Sequence, residues 1–158
     1  MFYRRSGAQP APQGVRRANF NREQLRALVD SGTSPGLIGY RGGVPVGWIS
    51  LGPREQYQKL ARSPVMKPVD DQPVWSIVCF VVPAAYRRQG VAAALLAGAT
   101  AWAKKRGARL LEAYPVDKPD ATRDDSLWFG KASTFERAGF EEVARRKPTR
   151  PVVRKSLR

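Results

Sequence analysis

The sequence predicts an α/β protein built on one mixed sheet with helices on both faces, and three observations carry that expectation. Val74 to Val82 is a nearly continuous apolar and β-branched run, as expected of a central strand covered on both sides. Gln89 to Lys105 then shows apolar residues at helical spacing, Val91, Leu95, Leu96 and Trp102 among them, and Ala108 to Tyr114 returns to a strand pattern. The result is a strand, crossover helix, strand unit. Elsewhere strand and helix patterns alternate, which calls for helical layers packed on a sheet.

Taken in order, residues 1–20 read as an N-terminal arm rich in Arg, Gly, Pro and Gln, partly disordered or holding an incomplete first strand near Phe2 to Arg4. Residues 21–158 read as a single domain. A helix is expected from Asn21, with Asn21 as cap, Gln24 at the reciprocal capping position and Leu25, Leu28 and Val29 as its apolar face, ending at Ser31-Gly32. Leu37 to Tyr40 and Val44 to Leu51 form a hairpin about Gly42-Gly43, because paired glycines suit a tight turn with positive torsions. Pro53 to Leu60 starts a short helix, and Ser63 to Pro73, with its prolines, is a loop that carries Asp70 and Asp71. After the βαβ unit come a polar loop from Pro115 to Asp125, a helix from Ser126 to Ala138 closed by Gly139, and two antiparallel strands, Phe140 to Arg145 and Val152 to Lys155.

Composition narrows the chemistry. One cysteine, Cys79, excludes an intrachain disulfide, and the absence of histidine removes zinc chemistry of the usual kind and any histidine-based triad, so no metal site is expected. The net charge of +15 makes an anionic cofactor, nucleic acid or an acidic protein surface the natural partners. Its densest run, Arg145 to Arg158, has no nucleic-acid-binding motif beside it. No apolar run is long enough for a membrane span and no signal peptide opens the chain, so a soluble, cytoplasmic protein is expected.

The segment richest in chemistry is the passage from Val81-Val82 through Arg87-Arg88-Gln89-Gly90 into Val91-Ala92. A turn that presents backbone N–H groups at a helix N-terminus attracts anions through unsatisfied donors and the helix dipole. Gly90 permits torsions that a side chain forbids, Ala92 permits close approach, and the two arginines add charge.

Here the chain resembles the GCN5-related N-acetyltransferase (GNAT) superfamily, whose acetyl-coenzyme A loop reads Gln or Arg, two residues, Gly, one residue, Gly or Ala: Arg87, Gly90 and Ala92 fit. The stretch Ser133-Thr134-Phe135-Glu136-Arg137-Ala138-Gly139-Phe140 resembles the second signature of the family, and the phrases Lys67 to Trp75 and Ala113 to Asp117 look like those of a bacterial subgroup. Members of that subgroup carry residues before a segment similar to Phe2 to Arg5, so the chain is expected to begin late. The resemblance implies a mostly antiparallel sheet with a splayed central parallel pair. It also implies a pantetheine arm lying along Val81 and Val82, a pyrophosphate held by N–H groups of Arg88, Gln89, Gly90, Val91 and Ala92, and Trp128, Ser133 and Phe135 near the ligand. The expected activity is that of an acetyl-coenzyme A-dependent N-acetyltransferase (EC 2.3.1 type) whose amine acceptor, a small molecule, attacks the thioester directly.

Many members place a tyrosine where this chain has Phe135, and a phenyl ring cannot donate a proton. Ser133 is the nominated substitute acid. Glu112, which interrupts an apolar strand, and Asp71, with Asp70 beside it, are the nominated bases. Cys79 is expected to be a buried small hydrophobe, Trp48, Trp75 and Trp102 core or pocket walls, and Tyr57 and Tyr114 either core or acceptor-pocket residues. The alternatives are a peptide or protein acceptor, or a module that binds coenzyme A or nucleic acid with little catalysis; nucleic acid is the weaker partner reading, and a homodimer is compatible with the sequence.

Overall fold

The computed structural model describes residues 11–118 and 128–158. The expected first strand near Phe2 lies outside these residues, as do Asp120, Asp124, Asp125 and Ser126. Helix α1 spans Arg17–Asp30 and is followed by β1 (Gly36–Arg41) and β2 (Val44–Pro53). A single 3-10 turn, Arg54–Gln56, leads to α2 (Gln58–Ala61), and a loop then brings the chain to β3 (Trp75–Val81). Helix α3 (Val91–Lys105) connects β3 to β4 (Leu110–Ala113). The chain closes with α4 (Ala132–Arg137), β5 (Glu141–Lys147) and β6 (Arg150–Ser156).

The strands form one sheet in the order β1-β2-β3-β4-β6-β5. Every neighbouring pair is antiparallel except β3 and β4, which run parallel as the crossover through α3 requires. The hairpin turns on Gly42 (φ 54°) and Gly43 (φ 78°), the paired positive torsions anticipated from the sequence.

Successive strand residues point to opposite faces, and each face has its own core. Ile77 and Val153 join Ile49, Leu51, Leu111 and the α3 residues Leu95, Leu96, Ala99 and Ala103, with Phe135 of α4 and Phe140 on the same side. Their neighbours Val78 and Val152 turn the other way, onto Tyr57, Leu60 of α2, Tyr114, Val116 and Phe129, with Met66 and Val69 of the 62–74 loop packed against them. Each fully buried aliphatic or aromatic side chain contributes about 1.5–3 kcal/mol, so helices on both faces are what makes the sheet stable. Tyr57 and Tyr114 are therefore core residues.

Two helices differ from the sequence reading. Helix α1 starts at Arg17, one turn before Asn21, since Ala18 and the flanking arginines are good helix formers and the Phe20 N–H already bonds to the Arg16 carbonyl at 3.1 Å. Asn21 lies inside the helix, and the expected apolar face buries no residue: Val29 is 53% exposed. Helix α4 covers only Ala132–Arg137, because Gly130 takes φ 79° and the Gly130 carbonyl and Ala132 N–H, on either side of Lys131, bond to Val116, in a ladder-like contact that a helix cannot share.

Candidate active site

Beyond Ile77 the parallel pair comes apart. β4 pairs with β3 at Trp75↔Leu111, Ser76↔Glu112 and Ile77↔Ala113 only, while β3 continues to Val81. The register against β2 jumps at the same place, from Leu51↔Ile77 to Ser50↔Cys79, so Val78 is the extra residue of a bulge. A bulge bends its strand and strengthens its twist. Past Ala113 the chain turns toward Lys131, with the Val116 N–H donating to the Gly130 carbonyl at 2.9 Å. Among the described residues the β4 side of β3 beyond Ile77 is thus left without a partner strand, and Val81 stands 49% exposed at its end.

At that end the backbone makes the turn that the sequence marked out. A 3-10 turn over Ala84–Tyr86 is followed by Arg88 at φ 58° and Gly90 at φ 77°, and α3 begins at Val91. The first bond within α3 runs from the Ala94 N–H to the Gly90 carbonyl at 3.0 Å, so the N–H groups of Val91, Ala92 and Ala93 precede the intrahelical ladder. Left-handed residues next to a helix start form a concavity lined with N–H groups, a site for an anion. A Cβ built on Gly90 would meet nothing within 4 Å, so the glycine serves the torsion and the space outside the turn is open. The Arg87 Nε donates to the Val82 carbonyl at 3.0 Å, tying the turn to the strand end. Open space, oriented donors and a bare strand edge fit the phosphates and pantetheine arm of coenzyme A.

The flank of the gap is aromatic. Phe80 meets Phe135 edge-on at 5.9 Å, and Phe135 meets Phe140 in the same manner at 5.1 Å. A Cβ on Gly130 would lie 2.9 Å from the Phe135 ring and 3.2 Å from the Phe80 ring, so this glycine is required for contact as well as for torsion. Phe135 is 0% exposed and forms a wall within the core. Trp128, two residues before Gly130, is exposed beside that wall. Ser133 is exposed and lies two residues from Phe135, about 200° around α4 and so on its far side.

The nominated bases lie at the other end of β3. Glu112, fully buried and in register with Ser76, forms ion pairs with Arg54 at 2.5 Å and Arg154 at 2.8 Å. The Tyr114 hydroxyl donates to Glu112 Oε1 at 2.6 Å, lies 3.0 Å from the Ser76 hydroxyl and accepts from Arg54. Burial, reinforced by Glu112, pushes the Tyr114 phenol far above its ordinary range, so it stays a neutral donor. Both Glu112 oxygens are already engaged within the fold. Ser76 is five residues from Val81, about 16 Å along the strand. Asp70 receives two bonds from Arg154, at 2.6 and 2.9 Å, and the hydrogen bond from that guanidinium holds its carboxyl below the usual range. Asp71 is exposed beside it, before the start of β3.

Arg54 and Arg154 escaped the sequence reading because a lone arginine near a strand end carries no local signal. The pairing of Glu112 with Tyr114 was readable, since residues two apart on a strand share a face. Part of the C-terminal basic run is also committed internally. Arg145 pairs with Glu142 at 2.6 Å and Asp117 at 2.8 Å, and Arg146 donates to the carbonyls of Val65, Lys67 and Pro68. Cys79 is partly buried on β3, where burial raises its thiol pKa and keeps it protonated.

A splayed parallel pair that ends in an anion-binding turn and a long helix defines an acyl-coenzyme A transferase architecture. Residues 6–124 match the model of the acetyltransferase (GNAT) family, and the chain belongs to that family. Among solved structures with the same fold is an N-acetyltransferase from Staphylococcus aureus Mu50, with 14% identity, a TM-score of 0.59 and coverage of 90% of this chain and 79% of that one. The ribosomal-protein-alanine N-acetyltransferase from Brucella melitensis gives 19%, 0.56, 87% and 77% in the same order. The PaiA N-acetyltransferase from Thermoplasma acidophilum, solved in complex with coenzyme A, gives 14%, 0.56, 89% and 74%. At these identities the likeness is one of fold. No curated protein matches the sequence significantly. The chain is accordingly an acetyltransferase that draws its acetyl group from acetyl-coenzyme A. Among the described residues no helix is long and apolar enough to cross a membrane.

Proposed function

We propose that the protein transfers acetyl from acetyl-coenzyme A to the amine of a small molecule, and that it does so by positioning rather than through a dedicated protein acid. The observation that carries this reading is the gap between β3 and β4, which runs from Ile77 to the left-handed turn at Arg88 and Gly90. The exposed edge at Val81 and Val82 pairs with the pantetheine arm as a further strand would, and the N–H groups from Arg88 to Ala92 hold the pyrophosphate. Backbone N–H groups of β3 polarise the acyl carbonyl while the neutral amine attacks. The carbon–sulfur bond breaks with the electron pair on sulfur, and the proton lost by the amine passes to water. Fixing donor and acceptor together is worth several kcal/mol of barrier, enough for a reaction with an activated thioester.

The small-acceptor reading is supported by charge. A cationic peptide calls for a carboxylate-lined groove, yet Asp70, Glu112, Asp117 and Glu142 each face an arginine within the fold. The test is thiol release from acetyl-coenzyme A across a panel of small amines and of peptides with free N-termini or lysines. Turnover with small amines alone is expected. Turnover confined to peptides would overturn the acceptor class, and saturable binding of acetyl-coenzyme A without turnover would favour a binding module.

A further inference from the structure

Arg88 is the one non-glycine residue with a positive φ among the described residues. A side chain with a Cβ is strained in the left-handed region, and such strain persists where the surroundings hold it. Two contacts do so here. Gln89 Nε2 donates to the Ala85 carbonyl at 2.7 Å and closes the turn from within. Arg41, at the end of β1 and forty-eight residues earlier, donates from Nη1 to Gln89 Oε1 at 2.8 Å and from Nη2 to the Gln89 main-chain carbonyl at 3.4 Å. One guanidinium thus grips both acceptors of Gln89, side chain and backbone, on the residue that separates the two left-handed torsions. By covering that carbonyl it also offsets a negative dipole next to the anion concavity.

We propose that Arg41 is a positioning residue for the phosphate cradle, reaching across from the β1–β2 hairpin to clamp Gln89 and so hold the Arg88–Gly90 backbone in its anion-binding shape. Arg41 lies outside both sequence signatures, and the proposal rests on the coenzyme A reading of the turn. A lysine in its place carries the charge but cannot present a planar fork to two acceptors.

The experiment measures the calorimetric Kd for acetyl-coenzyme A in the wild type, R41A, R41K, Q89A and R41A/Q89A. R41A and Q89A should each weaken binding about fivefold, the scale of an exposed polar contact, and the double variant should be no weaker than either, because the two residues act as one device. R41K should stay close to R41A. Wild-type affinity in R41A, full recovery in R41K or losses that multiply in the double variant would each overturn the clamp. A second readout needs no ligand: trypsin should cut after Arg87 and Arg88 several times faster in R41A than in the wild type, since cleavage follows local opening. Equal cleavage rates would also overturn the clamp. A wild type that fails to bind acetyl-coenzyme A would sink the cofactor reading, and the cleavage rates would still judge the clamp.

Discussion

Phe135 presents its ring to Phe80 at 5.9 Å and an interplanar angle of 81°, so the position from which a phenol is expected to act is sealed into the core by an aromatic contact. This relationship joins the sheet to α4. A phenyl ring there has no proton to give.

Restoring the hydroxyl should not restore an acid. In Phe135→Tyr the added oxygen enters a site with no exposure, so a stability loss of about 1–3 kcal/mol by urea denaturation is expected, with turnover no higher than in the wild type. A tenfold rise in turnover at unchanged stability would show that the hydroxyl reaches the leaving thiol.

Gly90 separates torsion from space. Gly90→Ala meets nothing within 4 Å, so the free protein should lose only about 1 kcal/mol from the left-handed φ, whereas affinity for acetyl-coenzyme A should fall at least tenfold as the methyl group enters the anion's place. Thermal melting with and without ligand compares the two. An unchanged ligand-induced shift would place the phosphates elsewhere.

Glu112 should matter to folding more than to chemistry. Glu112→Ala strands two guanidiniums that are nearly buried, and removing one partner of a buried pair costs about 3–5 kcal/mol. Urea denaturation should show that loss. A normally stable Glu112→Ala with abolished turnover would return the residue to the active site.

The Asp70 clip sets an acid limit. Arg154 depresses the folded-state pKa below the ordinary 3.8, so the stabilisation is fully present above that value and is lost as pH falls through the lower, folded value. The stability difference between wild type and Asp70→Asn should therefore be constant above about pH 5 and vanish in stronger acid. Equal stability of the two proteins above about pH 5 would mean the loop is held by its apolar contacts at Met66 and Val69.

Cys79 should behave as packing. Its thiol, raised by burial, should react with iodoacetamide at pH 8 far more slowly than a free thiol, and Cys79→Ser should retain most turnover. Rapid alkylation that destroyed activity would revive an acyl relay.

What the sequence by itself determined is what local physics determines. The unbroken apolar run of Val74 to Val82 marked the central strand, the spacing of Val91, Leu95 and Leu96 the crossover helix, Gly42-Gly43 the hairpin, and Gly90 the left-handed turn, because periodicity, burial and torsional freedom are properties of neighbours in the chain. The fate of each charge was decided only by the tertiary structure. Glu112 stood out as an anomaly in an apolar strand, but its partners Arg54 and Arg154 are 58 and 42 residues away, and the same separation hid the Arg41 contact to Gln89. Ser133 and Phe135 looked adjacent in sequence, and the turn of α4 put one in solvent and the other in the core. A side chain's chemistry depends on what the fold brings within about 3 Å of it, and for a long-range contact no stretch of sequence records that distance.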